Sequence, residues 1–89
     1  MGNLQRNTAN LEFKSLRLSK GFTQKGLGDT CGINQTRMSY FEMNYEVPSK
    51  EELGKLSKAL GVGIKKVMDT FHQTLEKIKN EREPRQEKR

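Results

Sequence analysis

Four side chains between Gln35 and Tyr40 bring a carboxamide, a methyl-bearing hydroxyl, a guanidinium and a phenol together within six residues. The carboxamide of Gln35 donates and accepts side by side, which suits the N6/N7 edge of an adenine. Arg37 offers a planar guanidinium that fits guanine O6/N7, or a phosphate. Thr36 brings a methyl group that can meet the methyl of thymine, and Tyr40 brings a hydroxyl on a rigid ring. Bond-making chemistry has no comparable support. Cys31 is the single cysteine and His72 the single histidine, so neither an internal disulfide nor a Cys/His metal set is available. No base and orienting acid accompany either residue, so no nucleophilic centre is expected. The chemistry on offer is that of binding. No enzyme activity, cofactor or metal is expected.

Those side chains need a helix to present them, and the surrounding pattern supplies one. Phe13 and Leu16, with Leu11 or Leu18 at the margins, mark one face of a first helix that Gly21 stops. Thr23 is placed to cap a second helix, Gln24–Cys31, with Leu27 inward and Phe22 just before the cap. Gly26 and Gly28 each cost about 1 kcal/mol against Ala inside a helix. Packing rather than propensity must therefore hold it, and Gly28 is expected where another helix passes close by. Gly32 breaks the run, and Asn34 caps a third helix from Gln35 to about Met43. Met38 and Phe41 face inward with Glu42 alongside, which leaves Gln35, Thr36, Arg37 and Tyr40 on the outer side. Asn44 tolerates the left-handed backbone that ends helices. A loop through Tyr45 to Pro48 follows.

Ser49 caps a fourth helix, where Glu51 and Glu52 favour the positive N-terminal end and Leu53, Leu56 and Leu60 form the apolar stripe. Gly61 ends it. A fifth helix is expected from Ile64 to about Arg82, ahead of Pro84. No stretch alternates in the manner of a strand. The expected organisation is a flexible arm over 1–10, a helical domain over 11–63, a C-terminal helix over 64–83 and a disordered basic tail over 84–89.

Composition sets the outer bounds. Eighty-nine residues, 31% of them hydrophobic, allow one small domain with a modest core. The mean hydropathy of −0.92 and pI near 9.7 describe a wet, basic surface. The net charge of +6 draws polyanions, nucleic acid above all. It is spread evenly: nine basic against six acidic residues over 1–63, and eight against five over 64–89. No apolar run approaches the ~18–20 residues that span a membrane, and no signal-peptide core is present. A cytoplasmic protein without a membrane partner is expected.

The ordered set of motifs resembles the Cro/phage-repressor (XRE-like) family of helix-turn-helix domains. Phe13-x-x-Leu16-Arg17 followed by Gly21-Phe22-Thr23-Gln24 matches that family's first helix and the start of its second. Leu27-Gly28 sits where Leu-Ala is usual, and Gly32-Ile33-Asn34 matches the Gly-Val-Ser turn. Met38-x-x-Phe41-Glu42 matches the apolar-x-x-aromatic-Glu signature, and Pro48-Ser49 with Leu53-x-x-Leu56-x-x-Ala59-Leu60-Gly61-Val62 matches the fourth helix. The likeness spans about fifty residues. Gly26, Gly28, Asn44 and Lys50 depart from it. The resemblance implies an all-α, five-helix repressor-like domain, here with an extended C-terminal helix, whose recognition helix enters the major groove of double-stranded DNA. It implies a phosphate contact for Gln24, which also braces Gln35, and base-edge contacts for Gln35, Thr36 and Tyr40. Arg37 is expected to clamp phosphate, with Lys25, Asn44 and Tyr45 at the backbone beside the groove. An ion pair of Arg17 with Glu42 would join the first and third helices.

Ile64, Met68, Phe71, Leu75 and Ile78 recur at spacings of four and three, a heptad-like seam. Phe71, Leu75 and Ile78 are expected to form an exposed apolar stripe for homodimerisation; the alternative is that the stripe folds back on its own domain. The function expected is a dimeric repressor on an inverted-repeat operator, encoded by a bacterium, phage or plasmid, with no small-molecule ligand. The rival is a protein-interaction adaptor, antitoxin-like, that works through the C-terminal stripe.

Overall fold

The computed structural model describes residues 9–82, so the expected arm over its first eight residues and the expected basic tail lie outside the described residues. Six helices and no strand occur among them: α1 Leu11–Ser19, α2 Gln24–Cys31, α3 Gln35–Glu42, α4 Lys50–Leu60, α5 Ile64–Asp69 and α6 His72–Arg82. The first four begin the same way. A polar side chain accepts a hydrogen bond from the backbone N–H three residues on: Asn10 from Phe13 (3.0 Å), Thr23 from Gly26 (2.9 Å), Asn34 from Arg37 (2.8 Å) and Ser49 from Glu52 (3.1 Å). Each satisfies one of the orphan donors at a helix start. Ser49 and Glu52 form a full capping box, because the Glu52 carboxylate accepts from the Ser49 N–H at 2.8 Å.

Three phenylalanines make the centre of the core. Phe13 of α1, Phe41 of α3 and Phe71 between α5 and α6 are fully buried, with ring centroids 5.0, 5.8 and 6.3 Å apart. The pairs of Phe41 with Phe13 and Phe71 are edge-on, an arrangement favoured by the ring quadrupoles. Leu27, Met38, Leu56 and Val67 fill the space around them.

The turn between α2 and α3 explains its glycines. Gly32 has φ 71°, the left-handed conformation that a Cβ disfavours. At Gly28 the reason is distance. A Cβ there would lie 2.5 Å from the Ile33 carbonyl oxygen and 3.0 Å from Met38 Cγ. The backbone leading into α3 therefore passes over α2 closer than an alanine allows.

Three expectations need correction here. Asn10, assigned to the arm, is buried as the cap of α1, and its N–H donates to the Glu42 carbonyl at 2.8 Å. The continuous fifth helix is two helices. At Thr70 and Phe71 the backbone N–H groups bond three residues back, to Val67 and Met68, and the Thr70 hydroxyl donates to the Val67 carbonyl at 2.7 Å. The tightened turn re-aims the chain so that Phe71 enters the core. Phe71 is thus no part of an exposed dimer stripe.

Candidate nucleic-acid interface

The interface is built outward from a buried pair. Arg17 on α1 donates to both Glu42 oxygens, at 2.5 and 3.1 Å, and also to the Phe22 carbonyl at 2.8 Å. Both side chains are only 7% exposed, so the pair fastens the C-terminal end of α3 from within. The fork-on-fork geometry fixes orientation as well as distance. Glu42 then accepts from the Gln24 side-chain amide at 3.4 Å, and Gln24 accepts from that of Gln35 at 3.5 Å. These last two contacts are long, and they orient more than they bind. The result is a relay from the core to the outer surface, ending on the first residue of α3.

The outer side of α3 presents Gln35, Thr36 and Tyr40 to solvent. Beside them Tyr45 is exposed, its ring centroid 5.7 Å from that of Tyr40. Lys25 is exposed on α2 and pairs with Asp29 one turn away at 2.8 Å; this hydrogen bond, with the adjacent charge, pushes the lysine's pKa up. Gln24 is half-buried at the head of α2.

Arg37 and Asn44 do not stand where the sequence reading puts them. Arg37 turns away from the outer face: its guanidinium donates to both Glu52 oxygens, at 2.7 and 2.9 Å, contacts Glu46, and lies 5.2 Å from the Phe41 ring centroid. With two carboxylates on it, its charge is already answered inside the protein. The Glu52 hydrogen bond holds the Arg37 pKa up, and holds the Glu52 carboxyl below its ordinary range. Asn44 has the expected left-handed backbone, φ 62°, but its side chain is buried and accepts from the Thr74 hydroxyl. It joins the α3–α4 loop to α6 rather than facing outward. On α6 itself, Leu75 is exposed and Ile78 half-buried.

Sequence reasoning missed the partners of these two residues. The Ser49-x-x-Glu52 spacing was a readable signal for a capping box, and it fixes the Glu52 carboxylate beside Arg37. Glu46, Thr74 and Lys77 gave no local signal. Lys77 lies with its ammonium 5.7 Å from the centroid of the Tyr45 ring. Cys31 is buried, with its thiol 3.5 Å from the Lys55 carbonyl oxygen, and burial pushes its pKa up. That is the setting of an inert thiol.

The family profile described as helix-turn-helix matches residues 13–67, from Phe13 within α1 to Val67 of α5. The chain belongs to the helix-turn-helix family. It is of the Cro/phage-repressor (XRE) type, a DNA-binding transcriptional regulator whose partner is double-stranded DNA; such regulators are generally not enzymes. Within the helix-turn-helix, α2 and α3 are the angular pair. Among solved structures the chain is similar to the clp gene regulator ClgR from Corynebacterium glutamicum, at 22% identity and a TM-score of 0.62, over 82% of this chain and 79% of that one. At that identity the likeness shows the shared helical fold. No curated protein matches the chain in sequence. Among the described residues no helix is long and apolar enough to cross a membrane.

Proposed function

We propose that this helix-turn-helix protein is a dimeric repressor that lays α3 in the major groove of an inverted-repeat operator and occludes the promoter there. One observation carries the reading: the side chain of Gln35 stands on the first turn of α3, exposed, and is held through Gln24 and Glu42 to a buried arginine. An amide pre-oriented in this way loses little freedom on meeting an adenine edge. Thr36 and Tyr40 lie on the same side of the helix and extend the base contacts. Gln24 takes a phosphate at the head of α2, where the helix N-terminus adds its partial positive charge. Lys25 and Tyr45 flank the groove and fix register. Arg37 and Asn44 position the helix and its following loop from inside the protein.

The reading includes a homodimer through the exposed side of α6. Leu75 and Ile78 lie three residues apart on one face and supply the apolar contact. A two-fold dimer places two recognition helices about 34 Å apart, one turn of DNA, which is why an inverted repeat is the expected site. A cytoplasmic location in a bacterium, with a chromosomal, phage or plasmid origin, belongs to the same proposal.

Selection of bound sequences from a random duplex pool, using the full chain, tests it. The expected result is enrichment of two half-sites in inverted orientation with a fixed spacing. A single unpaired half-site would remove the dimer and keep the DNA reading. No enrichment from a folded helical protein would overturn both, in favour of a protein-interaction adaptor acting through α6.

A further inference from the structure

Lys77 lies ten residues beyond the segment that matches the helix-turn-helix family, yet the fold carries it to the edge of the recognition surface. The path is continuous. Thr74, fully buried, donates to Asn44 in the loop after α3 and so docks the first turns of α6 against that loop. Lys77 is three residues on, over the same loop. Its ammonium sits 5.7 Å from the Tyr45 ring centroid, and the Tyr45 ring lies 5.7 Å from that of Tyr40, on the outer side of α3. The two tyrosines and the lysine thus form a row that starts on the recognition helix and ends on α6.

Several of the protein's cations are already answered by carboxylates. Lys25 and Lys65 are paired with Asp29 and Asp69, and Arg37 with Glu46 and Glu52. Among the described residues no carboxylate pairs with Lys77. A ring attracts a cation through its quadrupole but does not neutralise it. Tyr45 therefore steadies the long lysine stem and leaves the whole positive charge for an anion. A compact ammonium is well suited to a phosphate oxygen, which demands charge and no fixed fork geometry.

We propose that Lys77 contacts a DNA phosphate beside the groove that α3 enters, so that the DNA-binding surface extends onto α6. The contact rests on the proposed DNA-binding function, and its test separates the two. Binding of the full chain to its selected duplex is measured over a series of salt concentrations, for the wild type, Lys77→Gln, Lys77→Arg and Lys66→Gln, with melting temperatures alongside. Loss of one phosphate contact lowers the magnitude of the log K against log salt slope by about 0.9. Lys77→Gln is expected to show that reduction, with affinity lowered to a similar extent on operator and scrambled duplex and melting unchanged. Lys77→Arg is expected to restore the slope. Lys66→Gln removes a charge from α5 and is expected to leave the slope as in the wild type. An unaltered slope in Lys77→Gln, beside a steep one in the wild type, overturns the Lys77 contact alone. An equal reduction in Lys66→Gln also overturns it, because net charge would then be the cause. A wild type that binds no duplex overturns the function on which the contact rests.

Discussion

Each end of α3 is fastened by an arginine and a carboxylate, and the two fastenings differ in burial rather than in chemistry. At the C-terminal end Glu42 is held by Arg17 of α1, both side chains 7% exposed. Near the N-terminal end Arg37 is held by Glu52 of α4 and Glu46 of the loop, with Arg37 34% and Glu52 19% exposed. Water reaches the second junction and screens it, so each group alone loses little when its partner goes. At the first junction both charges are out of water, and either one left alone is costly. The same pairing thus does two jobs. The buried one ties the end of α3 to α1, and the half-exposed one ties its first turn to α4.

The comparison can be broken most sharply at Arg17. Arg17→Met leaves Glu42 buried without its cation and removes the bond to the Phe22 carbonyl. A loss of about 3–5 kcal/mol of unfolding free energy is expected, read by urea titration. Operator affinity should fall as well, because the relay to Gln35 loses its anchor. Adding Glu42→Leu to Arg17→Met should return much of the stability and little of the affinity. If the single variant melts and binds as the wild type, the buried pair orients nothing.

At the other junction the expected effects are smaller. Arg37→Gln should cost about 1 kcal/mol, the upper range for pairs that water reaches. Its effect on operator affinity should be modest and its salt slope that of the wild type, since the guanidinium is already occupied by Glu46 and Glu52. A slope reduced by about one phosphate would return Arg37 to the role of clamp.

The smallest effect is one of pH. Arg37 holds the Glu52 carboxyl below the ordinary glutamate value of 4.5. The folded protein therefore binds this proton less readily than the unfolded chain. The stabilisation is complete above the ordinary value and is lost as pH falls through the lower, folded one. Urea midpoints followed downward from pH 5 should decline less steeply in Glu52→Gln than in the wild type. Parallel curves would show that the half-exposed junction carries no such linkage.

How far this was legible in the sequence depended on distance along the chain. Thr23, Asn34 and Ser49 announce helix starts because a cap and its N–H lie three residues apart. Gly32 and Asn44 announce turns for a similarly local reason. The Arg17–Glu42 pair came from family resemblance, since nothing local relates two residues 25 apart. Arg37 was misplaced because a helical wheel shows which residues face out but not which carboxylates wait there. Glu46 reaches it only once the loop has closed. The seam of Ile64, Met68, Phe71, Leu75 and Ile78 has helical spacing, but its middle member is claimed by Phe13 and Phe41, which a one-dimensional pattern does not contain. The break at Thr70 turns that member into the core, against those two rings.

That third ring has a consequence for anyone who would cut this protein to size. The segment recognised by likeness closes at Val67, four residues before Phe71. A fragment trimmed to those limits would keep α2 and α3 whole and still lack one wall of the chamber against which α3 rests. Kinship, here, draws its border inside the ring of side chains that closes the core.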